Sequence, residues 1–249
     1  MPLRPFRWLL AAVLLAAAPA SALADGDALT SAQKAAVETM IHDYLMSHPE
    51  VIVQSVKGAQ QADDHQAATA TRQAIKARNA ELYSDPTSPV GGNPKGDVTV
   101  GEFFDYRCPY CKAIEPTLET LLKEDGKLRI VYKELPTLGP PSVYASRVAL
   151  AARHQDKYAA FHKRMMAQKG QIDDAVVLET AAAAGLDVAR IKAEMNAPDI
   201  DRIIKADYAL ADAINVQGTP AFVIGDTLVP GVADIGDLRK LIAEARQGG

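Results

Sequence analysis

Cysteine is almost missing from this 249-residue chain, which has only two. Two cysteines in a chain of this length cannot be the framework of a disulfide-stapled miniprotein. An excess of one charge is also missing. The 27 basic and 31 acidic residues are interspersed and leave a net charge of −4. No basic footprint for nucleic acid results, and no such partner is expected. After the first 24 residues no apolar run is long enough to cross a bilayer. Internal repeats and low-complexity tracts are lacking as well. What remains is 48% hydrophobic and 23% charged, an ordinary globular composition that excludes collagen and a disordered chain. The length suits one full domain with an extra element, or two small domains.

The N-terminus reads as a targeting segment. Arg4 and Arg7 come first without an acid, followed by an apolar run from Trp8 to Ala18, then Pro19, Ser21 and the small-x-small end Ala22-Leu23-Ala24. This is the three-part layout of a secretory signal peptide, with cleavage expected before Asp25. The alternative, a membrane anchor, needs about 20 apolar residues, and this run is shorter. Loss of Arg4 and Arg7 moves the net charge from −4 to −6. Export puts the cysteine pair in an oxidising compartment, where it is a disulfide or a redox couple before it is a metal site.

Three regions follow. Residues 30–46 predict a helix, opened by a Thr30/Gln33 capping box and carrying Val37, Met40, Ile41, Tyr44 and Leu45 on one face. A second helix is expected to start at Ser47-His48-Pro49-Glu50, with Ser47 as its cap, and to continue the apolar stripe through Val51, Ile52, Val53 and Val56. From Gly58 to about Ala80 the chain is polar and alanine-rich, an exposed helix or semi-rigid spacer. Pro86, Pro89, Gly91, Gly92 and Pro94 mark a turn cluster and the expected boundary, giving an N-terminal segment 25–85 and a domain 86–249. The segment has too little apolar surface for its own core. Its stripe packs on the following domain or on the same helix of another chain, and the polar stretch beyond it favours the second. The domain reads as α/β. It comprises a strand 97–104, a helix 109–122, a strand 128–135, a helical block over 143–215, a hairpin turned at Gly225-Asp226, and a closing helix over about 235–246.

The chemistry is expected at Cys108-Pro109-Tyr110-Cys111, directly after a strand and at the start of a helix. Unpaired backbone N–H groups and the positive dipole end at a helix N-terminus stabilise a thiolate. Cys108 at the tip is therefore the expected exposed nucleophile. Pro109 suits the first turn, and Cys111, one turn in, is the resolving thiol. The rivals are weaker. Half a zinc site needs further ligands that the chain does not supply as cysteine. Haem attachment needs His at position 112, which is Lys. A purely structural disulfide across two residues closes almost no loop.

The stretch Glu102-Phe-Phe-Asp-Tyr-Arg-Cys108-Pro-Tyr-Cys111-Lys112, the helical block and Gly218-Thr219-Pro220-Ala-Phe-Val together resemble the DsbA-type branch of the thioredoxin superfamily, over about residues 86–247. The resemblance implies a thioredoxin fold with a large helical insertion at about 140–215 and no cofactor or bound metal. It implies that Thr219-Pro220 is the family's cis-proline dipeptide, which lies beside the dithiol and binds the substrate chain. The alternative is an ordinary trans proline at a strand edge. Pro109 and Tyr110 would join that substrate surface. Glu102 matches the buried acid that this family keeps beneath the dithiol, a candidate proton relay for Cys111; otherwise it is a solvated surface residue. Asp105, Tyr106 and Arg107 shape either the substrate rim or only the loop. His42, His65, His154 and His162 read as surface residues.

An exported dithiol domain of this kind introduces, reshuffles or reduces disulfides, and the dipeptide between the cysteines does not reveal which. Residues 25–85 discriminate. The layout is similar to the copper-sensitivity-suppressor type C proteins, which implies a homo-oligomer through residues 30–56, a trimer in preference to a dimer. The expected activity is thus a periplasmic disulfide isomerase or reductase, acting on misoxidised or unfolded exported proteins and kept reduced by a membrane thiol partner. A disulfide oxidase is second, and a glutathione-linked enzyme is disfavoured by export. A different class remains, a non-catalytic chaperone or copper-binding protein that holds Cu(I) at the two thiolates.

Overall fold

The structure, a computed structural model, describes residues 29–248. The signal segment 1–24 lies outside the described residues. The chain divides into two compact units, one ending at Gln60 and one beginning at Gln61. Among the described residues no helix is long and apolar enough to cross a membrane.

The first unit holds α1 (Ser31–Ser47) and the start of α2 (Pro49–Ala77). The expected capping box forms, with Thr30 and Gln33 bonding reciprocally. The second expected cap does not. The Ser47 hydroxyl turns back to the Asp43 and Tyr44 carbonyls, and the imidazole of His48 meets the carboxylate of Glu50 at 3.1 Å instead. No residue of α1 is buried, so Met40, Ile41 and Tyr44 stand uncovered, as do Ile52, Val53 and Val56 on α2.

The second unit starts upstream of the 85–94 turn cluster. Its first element is the end of α2, where Ile75 is buried, followed by α3 (Asn79–Tyr83) with buried Leu82. The polar stretch is thus helix as far as Ala77, and its last turns belong to a packed core. A five-stranded sheet follows, β1 (Val90–Gly92), β2 (Val98–Phe104), β3 (Leu128–Glu134), β4 (Ala221–Ile224) and β5 (Thr227–Pro230), in the order β1-β3-β2-β4-β5. β2 and β3 are parallel, as the crossover helix α4 (Pro109–Glu124) between them requires; the other pairs are antiparallel. The hairpin turns at Gly225 and Asp226, with Gly225 at φ +60°.

Side chains alternate across a sheet with period two, and both faces here are covered. On one face Val98, Val100, Phe104, Phe222 and Ile224 pack with α4 and with α10 (Ile235–Gly248). On the other, Phe103, Ala221 and Val223 pack with Ile75, Leu82, Leu210 and Ile214. A Cβ on Gly101 would come within 2.8 Å of the Leu82 side chain, so glycine lets α3 approach β2. Between β3 and β4 the expected helical block appears as α5 (Pro140–Ala152), α6 (Tyr158–Met166), α7 (Asp174–Ala183), α8 (Val188–Glu194) and α9 (Pro198–Ala213). The fold is a thioredoxin fold with a helical insertion.

Candidate active site

β2 delivers the chain to the dithiol through three residues, Asp105 to Arg107. Asp105 is fully buried, and its carboxylate accepts from the Arg107 N–H at 2.7 Å, the Leu138 N–H at 3.0 Å and the Ser142 hydroxyl at 2.8 Å. Its carbonyl accepts from the Cys108 N–H at 3.0 Å. The loop is thereby fastened before α4 begins. Cys108 occupies the N-cap of α4 and Pro109 its first turn, where a missing N–H leaves no bond unmade.

β4 runs antiparallel beside β2, with Phe103 opposite Ala221. That register carries the preceding residues, Thr219 and Pro220, to the level of the dithiol. Their peptide bond is cis, and the Cys108 thiol donates to the Thr219 carbonyl at 3.2 Å. Sequence reading expected Cys108 to be exposed. The structure corrects this: Cys108 is 4% exposed and Cys111 0%. A helix tip is open only until another segment covers it, and here Thr219 does so. Tyr110, between the two cysteines, is 65% exposed. Burial pushes the Cys111 thiol well above the ordinary range. A groove of about 350 Å³ runs along Thr219, Pro220, Leu228 and Pro230.

Glu102 lies on the α4 face of β2, in phase with Val100 and Phe104, and is fully buried rather than solvated. Neither of its carboxyl oxygens has a hydrogen-bond partner, and burial, with Glu115 and Glu134 nearby, raises its pKa well above the usual range. Glu115, on α4 one turn past Cys111, is raised to about 7, chiefly by burial and further by Glu119. Sequence reading passed over Glu115. Its only signal is the four-residue spacing from Cys111, which places both on one helix face. The Asp105 backbone and Thr219 bond the Cys111 thiol and favour its ionisation, while Cys108 opposes it.

His162 is a second correction. It is 2% exposed, within an aromatic box of Phe104, Tyr106, Tyr132 and Tyr158, and burial lowers its pKa to about 3. Its Nδ1 meets the Tyr106 hydroxyl at 3.1 Å. Glu134, at the edge of the same box, accepts from Tyr158 at 2.8 Å and Ser146 at 2.7 Å, and burial lifts it to about 8. Asp105 and Tyr106 are therefore interior parts of the loop. His42, His65 and His154 are exposed, as the sequence suggests.

Residues 99–243 match the family model described as a DSBA-like thioredoxin domain, and residues 33–62 match the copper resistance protein ScsC N-terminal domain. The chain is similar to the crystal structure of a thioredoxin-like oxidoreductase from Silicibacter pomeroyi, at 43% identity and a TM-score of 0.67, over 68% of this chain and 98% of that one. A linker-deletion variant of Proteus mirabilis ScsC is 27% identical, with a TM-score of 0.69, over 90% of this chain and all (100%) of its own. The thiol:disulfide interchange protein DsbA of Bordetella parapertussis is 29% identical over 160 residues, 61% of this chain and 75% of that protein. A Na(+)/H(+) antiporter NhaA 1 of Salinispora arenicola also matches, 30% identical over 161 residues, which are 64% of this chain but 25% of that protein. Since the family model takes in the dithiol, the helical block and the cis Thr219-Pro220 peptide together, the chain belongs to the DSBA-like thioredoxin-domain family of thiol:disulfide oxidoreductases.

Proposed function

We propose that this protein is a periplasmic disulfide isomerase or reductase whose N-terminal helices assemble several copies, a trimer in preference to a dimer. The observation that carries the reading is the uncovered stripe Met40, Ile41, Tyr44, Ile52, Val53 and Val56, 49–69% exposed, on the unit that precedes a dithiol domain. An apolar stripe of this length facing water marks an interaction surface. A second copy of the same stripe is its simplest cover, and the match of residues 33–62 to the ScsC N-terminal domain supports that occupant. A periplasmic thioredoxin-like protein of Salmonella enterica, 31% identical, supports the compartment; the signal peptide cleaved before Asp25 belongs to the same reading.

In this reading Cys108 is the nucleophile. Its thiolate attacks one sulfur of a substrate disulfide and expels the other as a thiolate, leaving a mixed disulfide. For isomerisation a substrate thiolate then displaces Cys108. For reduction Cys111 displaces the substrate and closes the Cys108–Cys111 disulfide, which a membrane thiol partner reopens. Thr219 and Pro220 present backbone to the substrate chain, with Pro109 and Tyr110 on its other side. Glu102 is the candidate proton relay for Cys111, and Glu115 is a second buried carboxyl on the helix face of that thiol.

The test keeps the chain at full length. Ile41→Glu with Val53→Glu puts charge into the stripe, and sedimentation is expected to give monomers. Reactivation of a scrambled-disulfide protein is expected to fall at least tenfold while oxidation of a simple dithiol peptide persists. If the monomer still reshuffles, the helices serve docking or stability and the oxidase assignment takes over. The Cu(I) reading, favoured only by the copper-resistance description of residues 33–62, is tested separately. It requires metal-free protein to be inactive in disulfide exchange.

A further inference from the structure

A cleft of about 650 Å³ lies at the start of α4, and it shares no lining residue with the Thr219-Pro220 groove. One wall is Arg107 and Pro109, the residues on either side of Cys108; the other is the end of α6 and the segment after it, from Met166 to Ile172. Arg107, Lys112 and Lys169 line it, and none of its ten residues is acidic. In a chain with a net charge of −4 this is a local reversal of sign.

Two of the cations are also held in place. The Lys112 ammonium donates to the Met165 carbonyl at 3.2 Å and the Gln168 carbonyl at 2.6 Å, tying α4 to the far wall. The Arg107 guanidinium donates to the Leu138 carbonyl. Each retains N–H groups beyond those bonds. Lys169 is exposed and completes the set.

We propose that this cleft receives an acidic stretch of the polypeptide whose disulfide Cys108 attacks, so that Arg107, Lys112 and Lys169 select substrates with carboxylates next to the half-cystine. The inference rests on the disulfide-exchange reading given above. The occupant is a polypeptide flank because the cleft wall is the residue bonded to Cys108. A chain held by its disulfide at that sulfur must leave past Pro109 on one side and Thr219 on the other. The Thr219 side reads backbone, which is the same in every substrate. The cationic side reads charge, and charge complementarity governs encounter and choice of partner more than raw affinity.

The experiment uses the full chain, reduced, in single turnover against two fluorescence-quenched reporters. Each joins two peptides by one disulfide, and they differ only in carrying three glutamates or three glutamines beside the half-cystine. The reduced dithiol cleaves the reporter and ends as the Cys108–Cys111 disulfide, so no other reductant is consumed. The glutamate reporter is expected to react about tenfold faster at low ionic strength, an advantage that shrinks as salt is raised. Lys169→Glu is expected to bring the ratio to about one, while Lys240→Glu, an equal charge change on α10, leaves it as it was. Equal rates for the two reporters in the unaltered chain overturn the proposal, as does a ratio that Lys240→Glu lowers equally. If neither reporter is cleaved, the exchange reading falls and the proposal with it.

Discussion

The Cys108 thiol donates a 3.2 Å hydrogen bond to the carbonyl of Thr219, which lies 111 residues further along the chain. A thiolate has no proton to donate, so this contact belongs to the resting thiol. When Cys108 ionises, the carbonyl is freed to accept from another donor, such as a backbone N–H of a substrate chain. Resting contact and substrate contact then use one oxygen in alternation.

The division of labour within the dithiol is tested by trapping. Cys111→Ser is expected to accumulate a mixed disulfide between Cys108 and a substrate protein, visible as a reducible mass shift. Cys108→Ser is expected to trap nothing and to lose exchange activity altogether. Equal trapping by both variants would reverse the assigned roles.

Glu115 makes stability fall as pH rises. Its folded pKa is raised to about 7, so between roughly pH 4.5 and 7 the unfolded chain releases a proton that the folded chain keeps. Glu115→Gln removes that difference. The variant is expected to match the parent near pH 4 and to be more stable at pH 8, by up to about 3 kcal/mol. Denaturation midpoints at the two pH values decide it.

His162 works in the opposite direction. With its folded pKa lowered to about 3, the unfolded chain takes up a proton below about pH 6.5 that the folded chain refuses. Stability is therefore lost as pH falls from 6.5 toward 3, by at most about 1.4 kcal/mol per pH unit from this residue. His162→Phe keeps the ring in its aromatic box and is expected to flatten that slope. An unchanged slope would mean that another group carries the acid sensitivity.

Lys133 is 1% exposed on the face of the sheet opposite α4. It donates to the Glu81 carbonyl and the Ser88 hydroxyl, and lies 3.4 Å from Asp207 and 3.7 Å from Asp85. Removing one member of a buried ion pair strands the other, at a cost of about 3–5 kcal/mol. Lys133→Met is expected to lose stability on that scale, measured by denaturation at pH 7.5. Adding Asp207→Asn, which keeps an acceptor for the Glu134 N–H, is expected to recover part of it.

The strand–helix–strand run around Cys108, the Thr30 cap and the hairpin at Gly225 could be read from the residues alone, because each depends on neighbours within a few positions. The rest depends on partners far away in the chain. Cys108 is covered by Thr219, and His162 is enclosed by Phe104 and Tyr132, which no local pattern announces. Ser47 had two bonding choices of similar kind and took the preceding turn. Strand β1 has three residues, two of them glycine, and exists through its pairing with β3. Any Cβ on Gly91 would sit 2.5 Å from the Tyr132 hydroxyl, so the residue that hides the strand from sequence is the one that lets it pair. Glu115 reads as one more charge on a helix, because its burial comes only with the folded chain.

The three donors gathered by Asp105, from Arg107, Leu138 and Ser142, bear on the redox cycle itself. None of them involves a sulfur atom, so forming the Cys108–Cys111 bond does not by itself remove any of the three. What sets the potential is left to the immediate surroundings of two sulfur atoms: the helix end beneath Cys108, the Thr219 carbonyl beside it, and the dry interior around Cys111.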